Sequence, residues 1–263
     1  MRLLFLGDVV GKGGRAAVKQ LLPELRRRFN AQFAVVNGEN SAAGAGLTGS
    51  CVRELSTVAD VITTGDHTWD QKGFEQEIAM FRNVIRPANF SRLQPGRPWG
   101  VFQNPSGGEV AVISLLGKVF MRESAYCPFE TVERIIAEEL PRSVKTVLVD
   151  FHAEATSEKI AMAHFLDGKV TAVLGTHTHV QTADARILPG GTAALSDAGM
   201  CGADVSVLGR EVESVVKKFR VGIPVRLPVV EKGVFRVDGA VVTCDVSTGR
   251  ASEIRTFSER LEI

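Results

Sequence analysis

Lys169-Val170-Thr171-Ala172-Val173-Leu174-Gly175-Thr176-His177-Thr178-His179 joins an apolar, β-branched run to two histidines separated by one residue. The run reads as a buried strand. In a regular strand the two imidazoles are expected to point to opposite faces. To serve one site, the backbone must leave the sheet and bend here, which Gly175 permits. Neutral imidazole is the commonest protein ligand for borderline metals. A His-x-His pair leaving a buried strand is a metal-site candidate whose strength depends on what other strand ends bring to it.

Working outward, Arg2 to Leu6, Phe33 to Val36, Val61 to Thr64, Glu109 to Leu115 and Lys145 to Val149 also read as strands, with a shorter one from Val84 to Arg86. Helical spacing runs from Gly14 to Phe29, from a Thr48 cap to Val58, from Gly73 to Phe81, from Phe129 to Leu140, from Ser157 (capped by Thr156) to Leu166, and from Arg210 to Phe219. Leu93 to Gly108, rich in proline and glycine, reads as a surface connection. Further strands are expected at Gly191 to Leu195 and Ala251 to Ile263. Asp238-Gly239, between two apolar runs, predicts a two-residue hairpin turn. Early strands alternating with helices, followed by hairpin-like strands, predict mixed sheets with outer helices in a single domain spanning 1–263.

Five of these strands end in polar clusters: Asp8; Glu39 with Asn40; Asp66 with His67; His152; and His177 with His179. All the histidines except His164 fall at these junctions. In α/β sheets ligands bind outside the carboxyl ends of strands, so these groups are expected to be neighbours in space. The set exceeds what one tetrahedral zinc takes from protein. Mixed oxygen and nitrogen donors in this number suit two metals roughly 3.5–4 Å apart. No cysteine belongs to the cluster, which argues against iron–sulfur and other soft-metal sites and leaves iron, manganese or zinc.

Composition sets the limits. The chain has 263 residues, 44% hydrophobic and 23% charged, with a net charge of +1. That charge offers no bulk attraction to nucleic acid or a membrane surface, though a small nucleotide needs only a local site. Cys51, Cys127, Cys201 and Cys244 form no C-x-x-C pair and point to a reducing compartment. The opening Leu3-Leu4-Phe5-Leu6 run is too short for a signal-peptide core, so a cytoplasmic protein is expected. Gly11-Lys12-Gly13-Gly14 matches neither the P-loop nor the dinucleotide-binding fingerprint.

The motifs Gly7-Asp8-Val9-Val10-Gly11, Val36-Asn37-Gly38-Glu39-Asn40, Gly65-Asp66-His67-Thr68-Trp69-Asp70, Arg86-Pro87-Ala88-Asn89-Phe90, Asp150-Phe151-His152-Ala153-Glu154 and Gly175-Thr176-His177-Thr178-His179 together resemble the calcineurin-like metallophosphoesterases, and more closely their bacterial YmdB-like branch. The resemblance spans essentially the full length. It implies an α/β fold, a four-layer α-β-β-α sandwich of two mixed sheets flanked by helices. It also implies a di-metal centre and phosphodiesterase activity toward 2′,3′-cyclic nucleotides, through attack of a metal-activated hydroxide on phosphorus. Carried over by position, Asp8, Asn40 and His179 hold one metal, Asp66, His152 and His177 the other, and Glu39 bridges both. His67 takes the role of the acid that protonates the leaving group. Iron is the first expectation for the metals, with manganese or zinc as substitutes, and a homo-oligomer is expected.

Two positions depart from the pattern. The broad superfamily has Asp-x-His where this chain has Asp8-Val9-Val10. The family asparagine is replaced by Asp66, whose added charge should tighten metal binding and make bound water less acidic.

Other readings stay open at this stage. A phosphomonoesterase with the same metals, or a regulatory or RNA-binding protein that holds nucleotide without turnover, would carry the same residues. Asp70 caps a helix or orients His67. Asp150 and Glu154 either support the ligands or are solvated. Asn89 makes a turn or reaches substrate, and His164 is expected to pack inside a helix.

Overall fold

Short apolar strands rich in Val, Leu, Ile and Phe dominate the amino-terminal half, and burial of both their faces dictates a layered structure. The computed structural model describes residues 1–104 and 107–263; Pro105 and Ser106, near the end of the predicted Leu93–Gly108 connection, lie outside the described residues. In chain order the elements are β1 (Arg2–Leu6), β2 (Asp8–Val9), α1 (Gly11–Phe29), β3 (Phe33–Asn37), α2 (Gly49–Leu55), β4 (Val61–Thr63), α3 (Phe74–Glu77), β5 (Val84–Ile85), β6 (Trp99–Gln103) and β7 (Glu109–Leu116). They continue as α4 (Pro128–Arg134), β8 (Thr146–His152), α5 (Thr156–Phe165), β9 (Ala172–Thr176), β10 (Arg186–Ile187), β11 (Ala193–Leu195), β12 (Met200–Ala203), α6 (Val212–Val221), β13 (Val234–Cys244) and β14 (Ala251–Glu262).

Two mixed sheets result. One has the order β2-β12-β13-β1-β3-β4-β5, with β14 paired along β13, and the other β10-β11-β9-β8-β7-β6. Strands β1, β3, β4 and β5 are parallel, as are β7, β8, β9 and β11. Strand alternation divides the core. Leu3, Phe5, Phe33 and Val35 face Val110, Val112, Leu148 and Leu174 between the sheets. Leu4, Leu6 and Val36 turn outward onto Ala17, Val18 and Leu22 of α1 and Val52 and Leu55 of α2. On the far side Ile113, Val149 and Phe151 pack on Val132, Ile135, Met162 and Leu166. The layers run helix, sheet, sheet, helix, as expected. Among the described residues no helix is long and apolar enough to cross a membrane.

Several sequence expectations need correction. Asp238-Gly239 is not a turn: both residues lie inside β13, and the turn falls between β13 and β14, where Gly249 N–H donates to Asp245 O at 2.7 Å. One edge of β13 pairs with β12 through Val237 and with β1 from Gly239 onward. At that changeover a Cβ on Gly239 would sit 2.3 Å from the Phe5 carbonyl oxygen. Glycine answers close approach there, not turn geometry. The predicted connection over 93–108 contains β6, which pairs antiparallel with β7. The helix predicted over 73–81 is α3 followed by a 3₁₀ turn at Ile78–Met80, and α4 runs on into a π turn at Ile135–Glu139. Thr156 is the first residue of α5, and Ala155 occupies the cap position. His164 is exposed, not packed.

Candidate metal centre

Five of the parallel strands, β1, β3, β4, β8 and β9, deliver the polar residues at or after their ends to one edge of the sandwich. β1 breaks at Gly7, whose N–H donates to Asp238 O, and the chain re-pairs as β2 with β12, which places Asp8 on the cleft. β3 ends at Asn37 just before Glu39 and Asn40, β4 ends at Thr63 ahead of Asp66 and His67, β8 ends in His152, and β9 ends at Thr176 before His177. All seven candidate ligands come together.

Their contacts sort into two groups that share Glu39. In one, Asn40 Nδ2 lies 3.2 Å from His179 Nε2 and 3.4 Å from Asp8 Oδ1, and His179 Nε2 lies 3.9 Å from Asp8 Oδ1. In the other, His152 Nε2 is 2.9 Å from Asp66 Oδ1 and 3.0 Å from His177 Nδ1, and His177 Nδ1 is 3.5 Å from Asp66 Oδ1. Glu39 Oε1 stands between them, 3.0 Å from Asn40 Nδ2 and 3.1 Å from His152 Nε2.

Proton bookkeeping shows what this set lacks. Asp150, fully buried, accepts from Thr176 Oγ1 at 2.7 Å, from Asn37 Nδ2 at 3.0 Å and from the Thr63 hydroxyl. Thr176 therefore spends its one proton on Asp150, and its oxygen is left to accept from His152 Nδ1–H at 2.9 Å. With Nδ1 so engaged, Nε2 is the nitrogen that faces two carboxylate oxygens and a second ring nitrogen. Likewise Glu154 Oε2 stands 3.1 Å from His177 Nε2, and a proton there leaves Nδ1 free to face His152. In the His152 group ring nitrogens and carboxylate oxygens converge on one point, where either a shared proton or a bound cation must stand, while Asn40 brings an amide to the other group. A cation fits such a donor set. Glu39, Asp66, His152 and His177 hold their donor atoms within 4.8 Å of one another. Among the described residues this cluster includes no thiol, so its donors are oxygen and nitrogen.

The electrostatics agree. Burial works against a charged His152, but Glu39, Asp66 and Asp8 outweigh it and raise its pKa well above the usual imidazole value. Burial also opposes ionisation of Asp66, yet hydrogen bonds to His152 and His177 hold it far below the ordinary carboxylate range. The carboxylates thus favour positive charge at this point, the charge that a bound metal would supply. Behind it, burial pushes Asp150 up to about 6.

The divergence of the two motif histidines has a backbone cause. The expected opposite faces need correction: residues two apart share a face of a regular strand, so the bend is what separates the two imidazoles. Here His177 and His179 adopt φ of 104° and 62°, the left-handed region that costs non-glycine residues of order 1–3 kcal/mol. The expected bend therefore begins after Gly175, which remains within β9. Gly175 serves packing instead, since a Cβ would lie 1.8 Å from Ser196 O. The strained pair is pinned from both sides. His177 N–H donates to Asp8 Oδ2 at 3.0 Å. Thr178 donates its N–H and hydroxyl to Asp197 Oδ2, at 3.0 and 2.7 Å, and the same oxygen takes the buried Lys159 ammonium at 2.7 Å.

His67 lies beside the cluster. Its Nδ1 is 2.7 Å from Asp70 Oδ2 and its Nε2 3.9 Å from Asp66 Oδ2, so Asp70 orients the ring. Burial lowers its pKa, but Glu39, Asp66 and Asp70 together raise it above the usual value. Of the residues left open, Asp150 and Glu154 both support histidines, by the contacts above. Asn89 is spent on the Leu116 and Tyr126 backbone and does not reach the cleft. Thr63, Thr176, Lys159 and Asp197 escaped notice in the sequence. The signal was present for the first two, as hydroxyls closing otherwise apolar strands.

A family model described as YmdB-like protein matches residues 4–257. The chain is 44% identical over 256 residues to the 2′,3′-cyclic-nucleotide 2′-phosphodiesterase of Bacillus subtilis (strain 168), covering 97% of this chain and 95% of that one. A solved structure of a novel phosphatase from Mycoplasma pneumoniae superposes with a TM-score of 0.91 at 33% identity, covering 100% of this chain and 94% of that one. The calcineurin-like phosphoesterase YfkN from Bacillus subtilis shares the fold, with a TM-score of 0.54 at 12% identity over 100% of this chain and 90% of that one. The full-length match and the set of strand-end motifs agree: the chain belongs to the YmdB-like family.

Proposed function

We propose that this protein is a metal-dependent phosphodiesterase that opens 2′,3′-cyclic nucleotides. The observation that carries the proposal is the convergence of Asp8, Glu39, Asn40, Asp66, His152, His177 and His179, with ring nitrogens, carboxylate oxygens and an amide gathered at one point. The printed activity of the Bacillus subtilis relative supports the substrate class.

Asp8, Asn40 and His179 are assigned to one metal, Asp66, His152 and His177 to the other, and Glu39 to both. Two such ions, when bound, supply charge for the phosphoryl oxygens and acidify the attacking water. Iron is the favoured pair, with manganese or zinc accepted by the same donors. Asp66 adds a negative charge where the family pattern has asparagine.

The chain's own residues do the rest. In the reaction one P–O bond to the ribose breaks, one P–O bond to water forms, and the freed ribose oxygen needs a proton. His67, held by Asp70 at the cleft, delivers that proton from Nε2. Thr176, backed by Asp150, fixes which nitrogen of His152 faces inward, and Glu154 does the same for His177. The scattered free cysteines support a cytoplasmic setting.

Purified, metal-reconstituted protein given 2′,3′-cyclic AMP tests the reading. Hydrolysis that disappears in Asp8→Asn supports it. Binding without turnover under iron, manganese and zinc alike would favour a nucleotide-binding regulator.

A further inference from the structure

The cleft beside the candidate metal centre has a second wall of opposite chemistry. A cavity of about 400 Å³ is lined both by site residues, among them Glu39, His67 and His179, and by the apolar Leu208, Phe219 and Leu227. That volume lies within the usual range for small-molecule sites.

The apolar wall is held in place at a cost. Val207 and Arg210 exchange backbone hydrogen bonds of 2.9 and 3.0 Å, closing a two-residue turn. Its central residues, Leu208 and Gly209, have φ of 53° and 88°. Turns with positive φ at both positions favour Asn-Gly. A leucine there accepts backbone strain, and its side chain is 45% exposed at the cavity edge, with no core burial to compensate. One helical turn beyond the buried Val215, Phe219 sets an aromatic ring, 80% exposed, on the same wall.

Arg210 ties this wall to the metal side. Its guanidinium donates to Leu227 O at 2.9 Å, Gly44 O at 2.7 Å and Ala43 O at 3.3 Å. Those contacts use three of its five protons, and both Thr178 donors are taken by Asp197. The wall therefore offers apolar surface and a ring face.

We infer that Leu208, Phe219 and Leu227 form the nucleobase subsite of the cleft, and that it holds the base by stacking and apolar contact. Every base has a π-face, so such a site accepts all of them. The inference rests on the phosphodiesterase reading above.

The test compares kcat/KM for 2′,3′-cyclic AMP with that for methyl riboside 2′,3′-cyclic phosphate, which lacks a base, in metal-loaded wild type and Phe219→Ala. The wild type should prefer the nucleotide, and Phe219→Ala should cut that preference by roughly 5- to 30-fold, mainly through KM. Phe219→Trp should restore it. Phe219 is largely exposed, so truncation removes little core packing. An unchanged preference in an enzyme that hydrolyses both substrates would overturn the subsite alone. Failure of the wild type to hydrolyse either would overturn the phosphodiesterase reading and the subsite with it.

Discussion

Thr176 Oγ1 lies 2.9 Å from His152 Nδ1 while giving its own proton to Asp150 at 2.7 Å, so a buried hydroxyl decides which nitrogen of His152 faces the cleft. Thr176→Val keeps the shape and removes that decision. Partners of this kind contribute roughly 10- to 100-fold to metal affinity. Titration of the metal-free protein with manganese should show a loss in that range, and wild-type affinity would contradict the tautomer argument.

His67→Ala separates donor from ligand. Removing a positioned proton donor should lower turnover by roughly 10²- to 10⁴-fold while metal content stays at the wild-type level. A variant that loses metal would make His67 a ligand instead.

The pH profile tests Asp70. A proton donor works only while protonated, so activity should fall as pH rises through the His67 pKa. Asp70 helps to raise that pKa against the lowering effect of burial. Asp70→Asn should therefore move the falling, alkaline limb of kcat to lower pH. A limb that stays put or moves upward would remove His67 from the titration.

Gly175→Ala probes the packing behind the histidines. The new Cβ would meet the Ser196 carbonyl oxygen, a backbone atom fixed beside β11. Overpacking of this kind typically costs about 1–3 kcal/mol, and a backbone partner that cannot swing away puts the cost near the upper end. Urea unfolding should show the loss, and a change below about 0.5 kcal/mol would mean that the loop yields easily.

The strand-end clusters were legible because two strong rules act on them together: apolar runs announce parallel strands, and their carboxyl ends gather functional groups. Asp8, Glu39, Asp66, His152 and His177 needed nothing more to be brought together. Elsewhere local patterns misled. Asp238-Gly239 has turn chemistry, but β13 spans two neighbours and needs a glycine where they meet. The bend credited to Gly175 belongs to His177 and His179, where contacts from Asp8 and Asp197 hold a conformation that local propensity disfavours. Leu208, Phe219 and Leu227 carried no signal, because surface apolar residues facing a cleft look the same in sequence as those facing a core.

Metal analysis tests the central claim most directly. Protein purified without chelators, and again after reconstitution with iron, manganese or zinc, should carry about two ions per chain, falling in Asp8→Asn and His152→Ala. A chain that stays metal-free under every condition would contradict the centre and the chemistry built on it.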